Sequence, residues 1–131
     1  MTTLHQLALA RTSEEASDRF YIGILGLEKR REKVVDAELC HALFGVARAH
    51  RLIDYAGEGV HFEIFLVPPG ELLPAGLAHV CLEVAEAAGL VERCRAADLE
   101  VRELRRGERA VTFVVDEDGN LYEIKQRASA P

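Results

Sequence analysis

A chain that repeats an internal unit has to fold as two versions of one supersecondary element, and this chain repeats. Gly119-Asn120-Leu121-Tyr122-Glu123-Ile124 echoes Gly59-Val60-His61-Phe62-Glu63-Ile64: glycine, two free positions, an aromatic ring, glutamate, isoleucine. Side chains alternate between the faces of a strand, so each glutamate points away from its ring and its isoleucine. A carboxylate in an apolar strand is costly to bury unless a cationic partner or a metal neutralises it. Finding that position twice indicates a duplicated module with a shared chemical position.

The echo extends upstream. Leu4-His5-Gln6-Leu7-Ala8-Leu9 and Ala78-His79-Val80-Cys81-Leu82-Glu83-Val84 are both strand-like, each with a histidine near its start. A helical stretch follows each, and then a strand signal at Gly26-Leu27-Glu28 and at Asp98-Leu99-Glu100. Each half therefore runs His-strand, helix, strand, strand, Glu-strand. Module 1 spans about 3–67 and module 2 about 77–126, within one domain of 131 residues. His5 to Glu63 is 58 positions and His79 to Glu123 is 44, so the first half holds 14 extra residues.

Those extra residues match a short helix at 36–45. Asp36 is its cap, Leu39, Leu43 and Phe44 its apolar side, and Gly45 its stop. Thr12-Ser13-Glu14-Glu15 is a capping-box pattern, opening a helix with Ala16, Phe20 and Ile24 along one face and Gly26 at its end. Residues 27–35 read as a charged edge strand. Strands at 50–55 and 60–67 join through Gly57-Glu58-Gly59, and the breaker-rich 68–76 separates the modules. The second half is expected to hold strands at 77–84, 99–105, 109–115 and 121–126, with Ala87, Leu90, Val91 and Cys94 at helical spacing.

Composition narrows the partners. Sixteen basic residues against 22 acidic ones give a net charge of −6, which disfavours nucleic acid and anionic membranes. No basic-then-apolar leader opens the sequence and no apolar run is long enough to span a bilayer. Cys40, Cys81 and Cys94 are odd in number and lack CxxC spacing, which predicts reduced thiols and a cytoplasmic location.

His5, Glu63, His79 and Glu123 occupy the less apolar faces of their strands, alongside Leu7 and Leu9, His61 and Phe65, Cys81 and Glu83, and Leu121 and Lys125. If the modules pack about a pseudo-twofold axis the four converge. Two imidazoles and two carboxylates make a borderline donor set for a divalent Zn, Ni, Co, Mn or Fe ion.

This pattern resembles the vicinal oxygen chelate superfamily, which includes glyoxalase I, methylmalonyl-CoA epimerase, extradiol dioxygenases and the bleomycin and fosfomycin resistance proteins. Phe20-Tyr21-Ile22-Gly23-Ile24-Leu25-Gly26-Leu27 resembles the family's helix ending, and Ala78-His79-Val80 its second histidine strand. Asp116-Glu117-Asp118-Gly119-Asn120-Leu121-Tyr122-Glu123 resembles its "DPDGxxxE" close, with Glu117 where proline is usual. The resemblance covers about residues 3–126. It implies an α+β fold of two tandem βαβββ modules, forming curved mixed sheets around a metal-binding cavity. It also implies metal ligands at His5, Glu63, His79 and Glu123, from the first and fourth strands of each module.

Four protein ligands leave about two open places on an octahedral ion, suited to a small-molecule substrate chelating through vicinal oxygens. The implied activity is that of a metal-dependent isomerase, epimerase or lyase, with Glu123 and Glu63 as proton-transferring carboxylates. A non-catalytic binding protein of the antibiotic-resistance type is the alternative, and a non-haem iron dioxygenase ranks behind it because a fourth ligand obstructs oxygen. Leu9 stands where glyoxalase I carries an arginine that helps hold glutathione. A residue run resembling "HHVCFEV" leans toward the epimerase, but Asp116-Glu117-Asp118-Gly119 replaces that enzyme's His-Pro-Lys turn.

Other residues carry weaker expectations. His61 shares a face with Glu63, Cys81 borders the pocket, and Glu83 pairs with Lys125 across neighbouring strands. Cys40 reads as core and His41 as surface, and 105–109 as a solvated turn. Exposed sheet edges in paired modules imply a homodimer. The inserted helix is expected to cover the pocket mouth or the dimer seam.

Overall fold

The computed structural model describes residues 4–71 and 79–128, the side chain of Arg106 excepted. Most of the expected linker and the first two positions of the expected strand at 77–84 lie outside those residues. The chain divides into two compact units, 1–76 and 77–131. Each carries a four-stranded mixed sheet, which makes the fold α+β in two tandem modules.

The first unit runs β1 (Leu7–Arg11), α1 (Glu14–Ser17) continuing into a π-helical segment (Asp18–Ile24), β2 (Glu28–Val35), α2 (Ala37–Phe44), β3 (His50–Gly57) and β4 (Val60–Leu66). The strand order is β1-β4-β3-β2, with β1 parallel to β4 and the other pairs antiparallel. The second unit runs β5 (Val80–Val84), α3 (Ala87–Ala96), β6 (Glu100–Arg106), β7 (Arg109–Val115) and β8 (Leu121–Gln126). Its order, β5-β8-β7-β6, is the same path without an inserted helix. Parallel first and last strands require the crossover that the intervening helix supplies.

The first helix starts as its capping pattern dictates. Ser13 is extended (φ −137°) and its Oγ accepts the Ala16 N–H at 3.1 Å. Beyond Ser17 the spacing departs from a regular helix: the Leu25 N–H donates to the Phe20 carbonyl, five residues back, at 2.9 Å. Ala16, Phe20 and Ile24 are buried as expected, but so is Tyr21. A wider turn brings the two adjacent rings inward together. Tyr21 stacks 4.9 Å from Tyr55 and 5.2 Å from Phe62, which fixes the helix to one face of the sheet. Full burial of each such ring stabilises the module by roughly 2–3 kcal/mol.

The duplication is visible in the backbone. Gly26 (φ 74°) and Asp98 (φ 60°) both take left-handed conformations, one residue before the buried Leu27 and Leu99. β2 is an edge strand whose first seven residues are exposed and mostly charged, a composition that discourages edge pairing. In the second unit Leu90, Val91 and Cys94 are the buried positions of α3, and Val114, Val115, Tyr122 and Ile124 those of the sheet.

The inserted helix corrects one expectation. Asp36 caps it, accepting the Leu39 N–H at 2.8 Å, and Gly45 (φ 76°) ends it. Its inward residues, however, are Cys40 and Phe44, which join Val35, Leu52 and Phe65 in a small core. Phe44 meets Phe65 edge-on at 5.1 Å, whereas Leu39 and Leu43 are 47% and 59% exposed. Positions 40 and 44 share one helical face, and 39 and 43 lie about 100° around it. His41 is exposed and Cys40 fully buried.

Candidate functional site

In each module the sheet has a helix-covered face and an opposite face, and the opposite face carries the repeated glutamate, Glu63 or Glu123. In the second module Cys81 lies directly beside Glu123 in the β5–β8 register, and Glu83 beside Lys125. Glu123 is flanked on its other side by Phe113. His79, just before β5, sets its ring 5.3 Å from Phe113, and its Nε2 is 3.5 Å from Glu123 Oε1. The Cys81 thiol donates to Glu123 Oε2, also at 3.5 Å. Burial pushes the Cys81 thiol above its ordinary pKa, and its hydrogen bond to the Glu123 carboxylate adds to that. Glu83 does not pair with Lys125: its ion pair is with Arg127, at 3.6 Å.

The first module uses a different register. There Leu7 pairs with Phe62 and Leu9 with Ile64, so it is Ala8 that stands beside Glu63. Leu7 and Leu9 thus face the helix, not the side of Glu63 that the sequence pattern assigned to them. Side-chain size accounts for this. A one-residue slip exchanges the faces, and this register sets the half-buried Leu7 and Leu9 beside the buried Phe62 and Ile64 and leaves the small Ala8 exposed. Arg11, on the leucine side, is fully buried with its guanidinium 5.7 Å from the centre of the Tyr21 ring.

Consequently His5 meets His61, their ring centres 6.0 Å apart, and no hydrogen bond or ion pair joins His5 to Glu63 among the described residues. Glu63 is half-buried beside Asp54, its register partner on β3. Asp54, a residue the sequence reading passed over, is the buried carboxylate of this face. Its Oδ2 accepts from Arg31 Nε at 3.1 Å, and its Oδ1 lies 3.5 Å from His61 Nε2. Both of those facing atoms are closed to solvent and neither is hydrogen-bonded. A signal was present: Asp54 is the lone acid in the apolar run Leu52-Ile53-Asp54-Tyr55-Ala56, the same anomaly that singled out Glu63.

Elsewhere in the first module His50 and Glu71 make a closer contact of 2.8 Å, but on these faces each module sets an imidazole nitrogen 3.5 Å from a carboxylate oxygen, His79 with Glu123 and His61 with Asp54. That spacing is long for a hydrogen bond but suits two ligands of one ion, which stand about 3–3.5 Å apart at metal–N and metal–O bonds of about 2.1 Å. Among the described residues no three histidine, cysteine, aspartate or glutamate side chains are gathered to hold a metal as they stand. The donor chemistry of the pairs fits a divalent ion. No helix among the described residues is long and apolar enough to cross a membrane.

Paired βαβββ modules with imidazole and carboxylate groups on the faces away from their helices define a class, and the sequence agrees with it. The pattern of the Glyoxalase/Bleomycin resistance protein/Dioxygenase superfamily matches residues 3–124, and the chain belongs to that superfamily. No curated protein matches the chain in sequence. Among solved structures, a glyoxalase family protein from Bacillus cereus is similar at a TM-score of 0.73 and 15% identity, covering 98% of this chain and 96% of that one. A glyoxalase family protein from Enterococcus faecalis is similar at 0.66 and 22% identity, covering 92% and 94%. The fosfomycin resistance protein FosX from Listeria monocytogenes, complexed with Mn(II) and sulfate, is similar at 0.67 and 15% identity, covering 98% and 94%.

Proposed function

We propose that this chain is a divalent-metal-dependent enzyme of the glyoxalase or epimerase type, with His5, Glu63, His79 and Glu123 as its metal ligands. The observation that carries the reading is the pairing of His79 with Glu123 at 3.5 Å, a nitrogen and an oxygen at the spacing of two ligands on one ion. Glu63 supports it as a half-buried carboxylate with no hydrogen bond or ion pair among the described residues. When bound, the ion acts as a Lewis acid on a substrate carbonyl oxygen.

The protein's own part is to hold the substrate and move a proton at the neighbouring carbon. Glu123 is the better placed carboxylate in the second module, since Cys81 and His79 flank its two oxygens and fix its orientation. Glu63 is the corresponding group in the first. A chelating small molecule with vicinal oxygens is the substrate class. Zn, Ni, Co, Mn and Fe all suit this donor set.

Metal analysis of the reconstituted protein tests the reading, with His79→Ala and Glu123→Gln as variants. Loss of the ion in both, with the fold intact by circular dichroism, is the expected result. An unchanged metal content in His79→Ala removes the assignment. A screen of hemithioacetals and 2-substituted acyl-CoA thioesters then separates turnover from binding, because tight binding with no product formation indicates a small-molecule-capturing protein. We further propose a homodimer, on the ground that β1 and β5 each leave an outer edge unpaired within their own sheets. A monomer by light scattering at micromolar concentration would refute it.

A further inference from the structure

We infer that Arg31 holds an anionic group of the substrate, a carboxylate or a phosphate, at the first-module half of the proposed site. This rests on the metal-binding reading given above and adds to it a class of substrate, a vicinal-oxygen chelator with an anionic tail.

Register places the residue. Residues directly opposed on neighbouring strands share a face of the sheet. In the first module Glu63 is opposed by Asp54, and Asp54 by Arg31. In the second, Glu123 is opposed by Phe113, and Phe113 by Arg102. Both modules thus carry an arginine two strands across from the repeated glutamate, roughly 10 Å away at a strand spacing of about 4.8 Å. In β2 a bulge between Lys29 and Arg31 leaves Arg30 out of the pairing and sets Arg31 opposite Asp54. Bulges of this kind re-aim a side chain. The buried Asp54 is the anchor, because its Oδ2 accepts from Arg31 Nε at 3.1 Å and so orients the guanidinium. Among the described residues no other hydrogen bond or ion pair engages Arg31, whose side chain is 61% exposed. Its terminal N–H groups are therefore presented as an oriented fork, the geometry that matches a carboxylate or a phosphate. Lys33, exposed and opposite Leu52, lies two positions further along the same face and adds a second cation. Arg102 repeats the arrangement, with its Nε on Glu100 and its side chain 51% exposed.

Hydroxamates chelate metals through vicinal oxygens, and they test this on the cobalt-reconstituted full chain with the visible absorption of Co(II) as the readout. Three probes differ only at the far end: butyrohydroxamate is neutral, succinic monohydroxamate ends in a carboxylate, and 3-phosphonopropanohydroxamate ends in a phosphonate. The wild type should bind one of the anionic probes about tenfold or more tightly than the neutral one at low ionic strength, and that probe identifies the group. In Arg31→Gln the preference should fall about fivefold or more, while the neutral probe binds within about twofold of the wild type. Arg31→Lys keeps a cation beside Asp54, which protects the fold, and loses the fork, so it should recover only part of the preference. A wild type that binds all three probes alike, or a preference unchanged in Arg31→Lys and Arg31→Gln, overturns the role of Arg31 and leaves the metal-binding reading standing. A preference lost in Arg102→Gln alone also overturns it, since the anion is then held in the second module. A wild type that takes up no cobalt overturns both.

Discussion

Replacing Asp116 with alanine should destabilise the second module by about 2.5–6 kcal/mol. The carboxylate is 4% exposed and organises the turn before β8. Oδ1 accepts the backbone N–H groups of Asp118 and Asn120 at 2.9 Å each. Oδ2 accepts from Asn120 Nδ2 at 2.9 Å and from the Tyr122 hydroxyl at 2.8 Å. Hydrogen bonds to a charged group contribute about 1.5–3 kcal/mol, but the three donors on the part-buried turn recover water when the carboxylate goes, which reduces each of those losses to about 0.5–1 kcal/mol. The Tyr122 hydroxyl is buried away from water, so losing its carboxylate acceptor costs a further 1–3 kcal/mol or so. Tyr122→Phe removes one donor and leaves Asp116 its others, for a cost of about 1–1.5 kcal/mol. Because the two residues share a bond, the double variant should fall short of additivity by about 1 kcal/mol. Urea denaturation followed by circular dichroism measures all three, and the melting temperature of Asp116→Ala should drop by about 10–20 °C. If Asp116→Ala lies within about 1 kcal/mol of the wild type, or Tyr122→Phe costs as much, the turn is not held by this carboxylate.

Acid should weaken the first module. Burial pushes the Asp18 carboxyl up, but hydrogen bonds from the Tyr55 hydroxyl and Lys29 outweigh it and hold the group below its usual range. Hydrogen bonds from Lys29 and then Arg51 do the same for Glu14. Both groups have folded pKa values below their unfolded ones, so their contribution is complete above about pH 4 and is lost as the pH falls through the folded values. Lys29→Met should flatten the acid limb of a melting-temperature profile, and a slope identical to the wild type would count against the network. Gly26→Ala meets no atom within 4 Å but must hold φ at 74°, so it should cost about 1–2 kcal/mol by denaturation, whereas Asp98→Gly should be neutral or stabilising. Phe44→Ala should cost about 2–3 kcal/mol while Leu43→Ala stays within about 0.5 kcal/mol, and equal effects would show that the exposed leucine is covered by something.

Much of the fold was legible because it is written as punctuation and periodicity. Ser13 and Asp36 cap the helices they precede, Gly26 and Gly45 end them in left-handed conformations, and the glycine-rich turn at 57–59 joins β3 to β4. These are local choices of one or two residues, each with a steric or hydrogen-bonding reason that neighbours seldom override. The π-helical widening after Ser17 was not legible, because Ala16, Phe20 and Ile24 satisfy an ordinary helical spacing equally well. What decides the matter is the burial of a second ring, Tyr21, between Tyr55 and Phe62, and those partners arrive from strands more than thirty positions away. On α2 Cys40 and Phe44 pack inward as expected, but Leu39 and Leu43 do not, because the small buried space beneath Val35 and Leu52 is filled by the other two.

The candidate site was legible as residue types and less so as partners, and register is the cause. In the second module the position two after the histidine pairs with the glutamate, so His79 falls beside Glu123 as the repeat suggests. In the first module that position, Leu7, pairs with Phe62, one residue short of Glu63. In this register Leu7 and Leu9 lie on the side of Phe62 and Ile64, where the fully buried Arg11 follows them against Tyr21. A motif thus specifies that a histidine and a carboxylate are present, whereas a one-residue choice of register specifies which of them meet. On the face of Glu63 the carboxylate that meets an imidazole is Asp54, from β3, a strand to which the duplicated pattern assigned no chemistry, while elsewhere in that module His50 Nε2 lies 2.8 Å from Glu71 Oε2. The two modules descend from one sequence pattern, yet one presents His79–Glu123 and the other His61–Asp54 with Glu63 alongside. The halves therefore differ in which groups meet through a one-residue difference in strand register, with histidine and glutamate present at the repeated positions of both.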